Sequence, residues 1–89
     1  MSLAWWNGRA LDAGEVRIDP GDAGFLHGDG LFETLRVDAG TAGHVDLHLE
    51  RLFAGLRRVE IEIPEDRTAL AAAVAAVASA APRPVARLR

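Results

Sequence analysis

No cysteine and no lysine occur in the 89 residues, and each absence removes a class of chemistry. Without thiols the chain builds neither a disulfide framework nor a thiolate metal cage. Without an ε-amine, no imine between a lysine and a carbonyl compound forms within it. All ten basic residues are arginine, and against 13 acidic ones they leave a formal charge of −3, so the basic excess of a nucleic-acid binder is missing. Long apolar runs are missing too. The alanine-rich stretch 69–81 is too short and too weakly apolar to cross a bilayer, and no basic start followed by an apolar core marks a signal peptide. The expectation is a cytoplasmic protein with neither a nucleic-acid nor a membrane partner. Met1-Ser2-Leu3 lies outside any pattern and is read as a leader, which leaves residues 4–89 as one domain.

What is present is an ordinary globular composition, 49% hydrophobic. A chain this short buries only about 60–65% of its unfolded surface, so its core is modest. The first half reads as strand and turn. Leu3 to Trp6 stops at Asn7-Gly8, a type I′ hairpin pair, and Arg9 to Leu11 returns alongside. Val16-Arg17-Ile18 alternates as a second short strand before the turn formers Asp19-Pro20-Gly21-Asp22. A glycine-punctuated loop follows, and Leu31 to Val37 reads as a strand with Leu31, Glu33, Leu35 and Val37 on one face and Phe32, Thr34 and Arg36 on the other. Charges placed among apolar neighbours must be paired or face a polar cleft. A turn at 38–41 and a brief strand near Gly43 to Val45 close this half.

The period then changes. Leu49, Leu52, Phe53 and Leu56 form one helical face over 47–58, with Asp46 expected as its cap. Val59, Ile61 and Ile63 alternate as an edge strand or extended connector. Pro64-Glu65-Asp66 starts a helix over 66–80 whose stripe is Leu70, Val74 and Val77, and Pro82 and Pro84 end it before an alternating segment at 85–89. These elements predict an α+β fold, a small two-layer domain with a mostly antiparallel sheet packed on two helices.

Four constellations bear on chemistry. His44 and His48 are four apart, as two metal ligands on one helix face would be, but with Asp46 as cap His44 falls outside the helix and the reading is no metal site. His27, Asp29 and Glu33 form an acid and base set, more often a hydrogen-bonding brace in a loop. Gly28-Asp29-Gly30 is no dinucleotide fingerprint, since it opens a strand rather than a helix. Arg51 sits at the border of the helical apolar face. By spacing alone it is a solvated arginine that snorkels or pairs with a glutamate, ahead of a guanidinium held by a rigid helix to fork onto a phosphate.

The order and spacing of WNGR at 6–9, VRIDPGDAGFLHGDGLFETLRV at 16–37 and HLERLFAGLRRVEIEIP at 48–64 resemble the N-terminal domain of the fold-type IV (class IV) pyridoxal-phosphate aminotransferase family, and the likeness runs from Leu3 to Arg89. That family has the D-amino-acid aminotransferase-like fold and includes branched-chain and D-amino-acid aminotransferases and 4-amino-4-deoxychorismate lyases, which make 4-aminobenzoate and pyruvate for folate synthesis. HGDGLFETLRV followed by HLERL looks nearest the lyases, with an aminotransferase or a stand-alone dimerising module as the alternatives. The resemblance implies pyridoxal 5′-phosphate as cofactor, a small-molecule substrate and a homodimer. It implies that Arg51 holds the cofactor phosphate, which reverses the reading from spacing. His27, Phe32 and Arg36 would border the substrate pocket. His27 stands where relatives often carry an aromatic residue, and Arg36 belongs with Glu33 to the family's FE…R strand. Phe32 stands where D-amino-acid aminotransferases have a tyrosine, and its missing hydroxyl counts against carboxylate recognition of that kind. Ala23 departs from the arginine usual in the family's DRG turn. The family's cofactor-bonding lysine and its acidic partner for the pyridinium nitrogen lie in a C-terminal domain absent from this chain, so the chain alone is expected to be catalytically inert.

Overall fold

The computed structural model describes residues 2–89; Met1, part of the expected leader, lies outside them. Regular structure begins at Leu3. β1 (Leu3–Trp6) and β2 (Arg9–Asp12) form an antiparallel hairpin with Leu3 opposite Asp12 and Trp6 opposite Arg9. Asn7 and Gly8 take positive φ, 47° and 96°, as a type I′ turn demands. A single 3₁₀ turn, Ala13–Glu15, follows.

The sheet splits in two, where a single one was expected. β3 (Leu35–Asp38) is the middle strand of the second, between β4 (Thr41–Ala42) and β5 (Val85–Leu88), both antiparallel to it. β4 lies two residues before the expected strand near 43–45; Gly43 N–H still donates to the Arg36 carbonyl at 2.9 Å. β3 itself is shorter than the alternation 31–37 suggested. Its neighbours reach only residues 35–38, so the backbone of 31–34 has no ladder to join.

The segment read as a glycine loop contains a helix, α1 (Ala23–His27). The Asp22 carboxylate accepts the Phe25 N–H at 3.2 Å, and Gly28 ends the helix at φ 70°. α2 (Val45–Arg58) starts two residues before the expected 47: His44 occupies the cap position at φ 56° with no side-chain bond, and Asp46 lies inside the first turn. There its charge favours the positive helix end without capping it. The segment after α2 is a connector. Ile61 N–H donates to the Leu56 carbonyl at 3.0 Å and Glu60 N–H to the Arg57 carbonyl at 3.3 Å, with Glu60 at φ 58°. That closure turns the chain away from any strand partner. α3 (Arg67–Ser79) is capped by Asp66, whose carboxylate accepts the Ala69 N–H at 2.8 Å.

Leu35 and Val37 of β3, Leu49 and Leu56 of α2, and Ala73 and Ala78 of α3 form the buried core. The small alanines let α3 approach the sheet, while Leu70, Val74 and Val77, the expected stripe, are partly covered and turn toward β1. Arg67 ties the two long helices together by donating to the Asp46 carbonyl at 2.8 Å. Among the described residues no helix is long and apolar enough to cross a membrane.

Candidate functional site

Between β1, the segment leading into β3, the facing sides of α2 and α3, and β5 lies a cleft of about 550 Å³. Its walls are mostly apolar, Trp5, Leu52, Leu70 and Val74 among them, and its polar groups include Glu33, His48 and Arg87. Apolar walls with a few convergent polar groups are the usual make-up of a small-molecule site.

Glu33 is the polar centre. It lies two residues before β3, outside the paired strand, and its carboxylate reaches α2. There His48 and Arg51, three residues apart, lie one helical turn from each other on one side. Arg51 Nε donates to Glu33 Oε1 and Arg51 Nη2 to Oε2, each at 2.7 Å, a two-pronged pair spanning 18 residues of chain. His48 Nδ1 is also 2.7 Å from Oε2. The Arg51 and His48 hydrogen bonds, in that order, hold the Glu33 carboxyl down at about 2, against an ordinary 4.5. An ionised carboxylate only accepts, so Nδ1 carries the proton in this bond and Nε2 is the free ring nitrogen when the histidine is neutral. Glu33 and His48 are mostly covered, at 13% and 20% side-chain exposure, whereas Arg51 is 72% exposed and sits on the outer side of the pair.

The expected site residues are only partly gathered. Phe32 lines the cleft at its open edge, and the Arg89 guanidinium lies 5.3 Å from its ring centroid. Arg36 projects from the other side of β3 and pairs with Asp38 at 2.7 Å, both well exposed. His27, the last residue of α1, is exposed and lines neither the cleft nor the Glu33 cluster. Ala23, where the DRG turn departs, opens α1.

Glu33 as the shared acceptor of His48 and Arg51 was not named from sequence. The signal was present in two halves, a glutamate on an otherwise apolar strand face and a His-x-x-Arg spacing on a helix, but nothing local connected them across 15 to 18 residues.

The model of the amino-transferase class IV family matches residues 30–89. The chain belongs to that family. The class IV relatives it resembles include the aminodeoxychorismate lyase of Bacillus subtilis, 41% identical over 60 residues, which are 67% of this chain and 20% of that protein. The D-alanine aminotransferase of Bacillus licheniformis is 31% identical over 58 residues, 65% of this chain and 20% of that protein. Among solved structures, 4-amino-4-deoxychorismate lyase from Pseudomonas aeruginosa superposes with a TM-score of 0.68 at 42% identity, over 82% of this chain and 26% of that one. The class IV chain described here thus spans roughly a fifth to a quarter of the length of these relatives. The family match takes in Phe32, Glu33, Arg36, His48 and Arg51, and it begins after His27.

Proposed function

We propose that this chain is the N-terminal part of a pyridoxal-phosphate-dependent 4-amino-4-deoxychorismate lyase in which Arg51 holds the cofactor's phosphate. The observation that carries the proposal is the guanidinium itself. Its Nε and Nη2 are engaged by Glu33, while Nη1 has no partner among the described residues and the side chain is 72% exposed. A phosphate can therefore meet a fixed cation without displacing protein, and the residues present fit the phosphate end of the group. The bound cofactor would supply an electron sink. The chain contributes no lysine to the reacting end, so those residues must come from elsewhere in the assembled enzyme, and the 89-residue chain alone is proposed to be inert.

Within the site, Phe32 and the apolar cleft wall would exclude water from one side of a small-molecule substrate. Arg36 and His27 face other surfaces here, and their part in the pocket is proposed only for the assembled protein, as a homodimer. The lyase reading is favoured by 41% and 42% identity to two lyases. An aminotransferase is the second reading, favoured by the 31% match to a D-alanine aminotransferase.

Two assays of the full-length protein separate them: release of 4-aminobenzoate from 4-amino-4-deoxychorismate, and amino transfer from D-alanine. Product in the second assay alone would overturn the lyase reading. For Arg51, a titration with pyridoxal 5′-phosphate is expected to show Arg51→Ala weakened about ten- to a hundredfold and Arg51→Lys recovering part of it, because lysine restores charge without the fork. Unchanged affinity in Arg51→Ala would return it to a solvated ion pair.

A further inference from the structure

An exposed arginine has many rotamers, and binding an anion normally costs the freedom of the side chain that holds it. Arg51 has already lost that freedom. Both oxygens of Glu33 grip one edge of its guanidinium, and Glu33 is itself fixed at two points: its backbone runs within two residues into the paired strand β3, and its Oε2 accepts from His48 one turn before Arg51 on α2. Glutamate, histidine and arginine thus tie the segment leading into β3 to α2.

We infer that Glu33 and His48 are positioning residues that hold the Arg51 guanidinium with its Nη1 edge outward, ready for a phosphate oxyanion. The inference rests on Arg51 being the phosphate ligand, and it makes a counter-intuitive demand. On charge alone Glu33 opposes a phosphate, so removing it should tighten binding. On positioning, removing it should weaken binding, because the freed arginine must be ordered again by the ligand.

The experiment titrates the full-length protein with pyridoxal 5′-phosphate, and separately with inorganic phosphate, for the wild type and for Glu33→Gln, Glu33→Asp, His48→Asn and Arg51→Ala, each at low and high salt. Positioning predicts that Glu33→Gln and Glu33→Asp both weaken binding by about three- to tenfold, the cost of ordering one long side chain, by a similar factor at both salt levels. The aspartate keeps the charge and loses the reach. His48→Ala, added to the set because it has no donor, should weaken binding in the same direction as the Glu33 variants. His48→Asn should recover it to within about twofold of the wild type, since its amide nitrogen can stand in for Nδ1–H. Wild-type affinity in His48→Ala would overturn the part assigned to His48. A readout without ligand is the Arg51 Nε–H resonance in nitrogen-15 spectra, expected to exchange slowly in the wild type and His48→Asn and rapidly in both Glu33 variants. Tighter binding by Glu33→Gln with wild-type affinity in Glu33→Asp would overturn the inference and leave charge as the sole effect of Glu33. Unchanged affinity in Arg51→Ala would instead overturn the assignment of Arg51, whatever the Glu33 variants do.

Discussion

Val16-Arg17-Ile18 and Leu35-Arg36-Val37 carry the same apolar, arginine, apolar pattern, yet only the second is a strand. Leu35 and Val37 are buried at 3% and 1% exposure, with β4 on one side and β5 on the other. Ile18 is 55% exposed, and Arg17 turns back to donate to the Gly14 and Val16 carbonyls, both at 2.9 Å. The pattern names a face; a strand also needs an edge to pair with and a surface to cover it. The same contrast divides the chain. Residues 13–34 leave Phe25, Leu26 and Phe32 more than half exposed, while 35–88 hold every buried core residue among those described.

The largest expected effect tests that division. Leu49→Ala removes a side chain that is 5% exposed from the middle of α2 and should cost about 2–5 kcal/mol, a large share of a total of about 5–15 kcal/mol. Phe25→Ala removes a larger side chain that is 66% exposed and should stay within about 0.5 kcal/mol. Urea unfolding of both variants is the measurement. Similar losses would mean that residues 13–34 belong to the same cooperative unit.

A smaller effect is expected at the helix caps, where the chemistry is alike and the surroundings differ. Asp66→Ala should cost about 1 kcal/mol because α3 carries part of the core. Asp22→Ala removes a similar bond from α1, which has no buried residue, and should leave the global midpoint unchanged while residues 23–27 lose protection from hydrogen exchange. A shift of the midpoint by Asp22→Ala equal to that of Asp66→Ala would erase the distinction.

How much of this was legible follows from the range of each signal. The hairpin at Asn7-Gly8, the stripe of α2 and the Pro-Glu-Asp start of α3 are local, and each reappears in the structure within about two residues. α1 was written as Asp22 and Gly28 on either side of a short apolar stretch, but the surrounding glycines favoured a loop reading. The lengths of β3 and β4 and the split into two sheets were not legible, since strand ends depend on partners up to 53 residues away, as in Leu35 opposite Leu88. At the site, the requirement that Glu33 be paired was legible from its apolar neighbours; the identity of its partners was not, because it depends on how α2 docks on β3.

Glu60 offers a gain rather than a loss. It ends α2 in the left-handed region at φ 58°, where a Cβ is disfavoured, and its side chain makes no hydrogen bond there among the described residues. Glu60→Gly should therefore stabilise the domain by about 0.5–1 kcal/mol despite the greater freedom glycine gives the unfolded chain. Thermal unfolding checks the sign. No gain would mean that the freedom glycine gives the unfolded chain offsets the relief at φ 58°.

The subtlest difference lies between two ion pairs and appears only in acid. Glu33–Arg51 joins the segment leading into β3 to α2, whereas Arg36–Asp38 links two positions of one strand. Both carboxyls are lowered by hydrogen bonds from their arginines, Glu33 to about 2 from an ordinary 4.5 and Asp38 below its ordinary 3.8. A carboxyl lowered by folding stabilises the fold fully above its unfolded value, and the gain is lost as pH falls through the folded value. For Glu33 that window runs from about 4.5 down to about 2. Exposure of Arg51 and of both Arg36 and Asp38 lets salt screen each pair, so the acid slope should flatten as ionic strength rises. Glu33→Gln should remove its part of the slope and free the contact between α2 and the start of β3, while Asp38→Asn should remove its own part and leave that contact intact. Stability measured against pH for both variants, with hydrogen exchange at residues 45–51, separates the two. An acid slope unchanged in Glu33→Gln would mean that the three-way contact among Glu33, His48 and Arg51 does not hold the segment leading into β3 to α2 in solution.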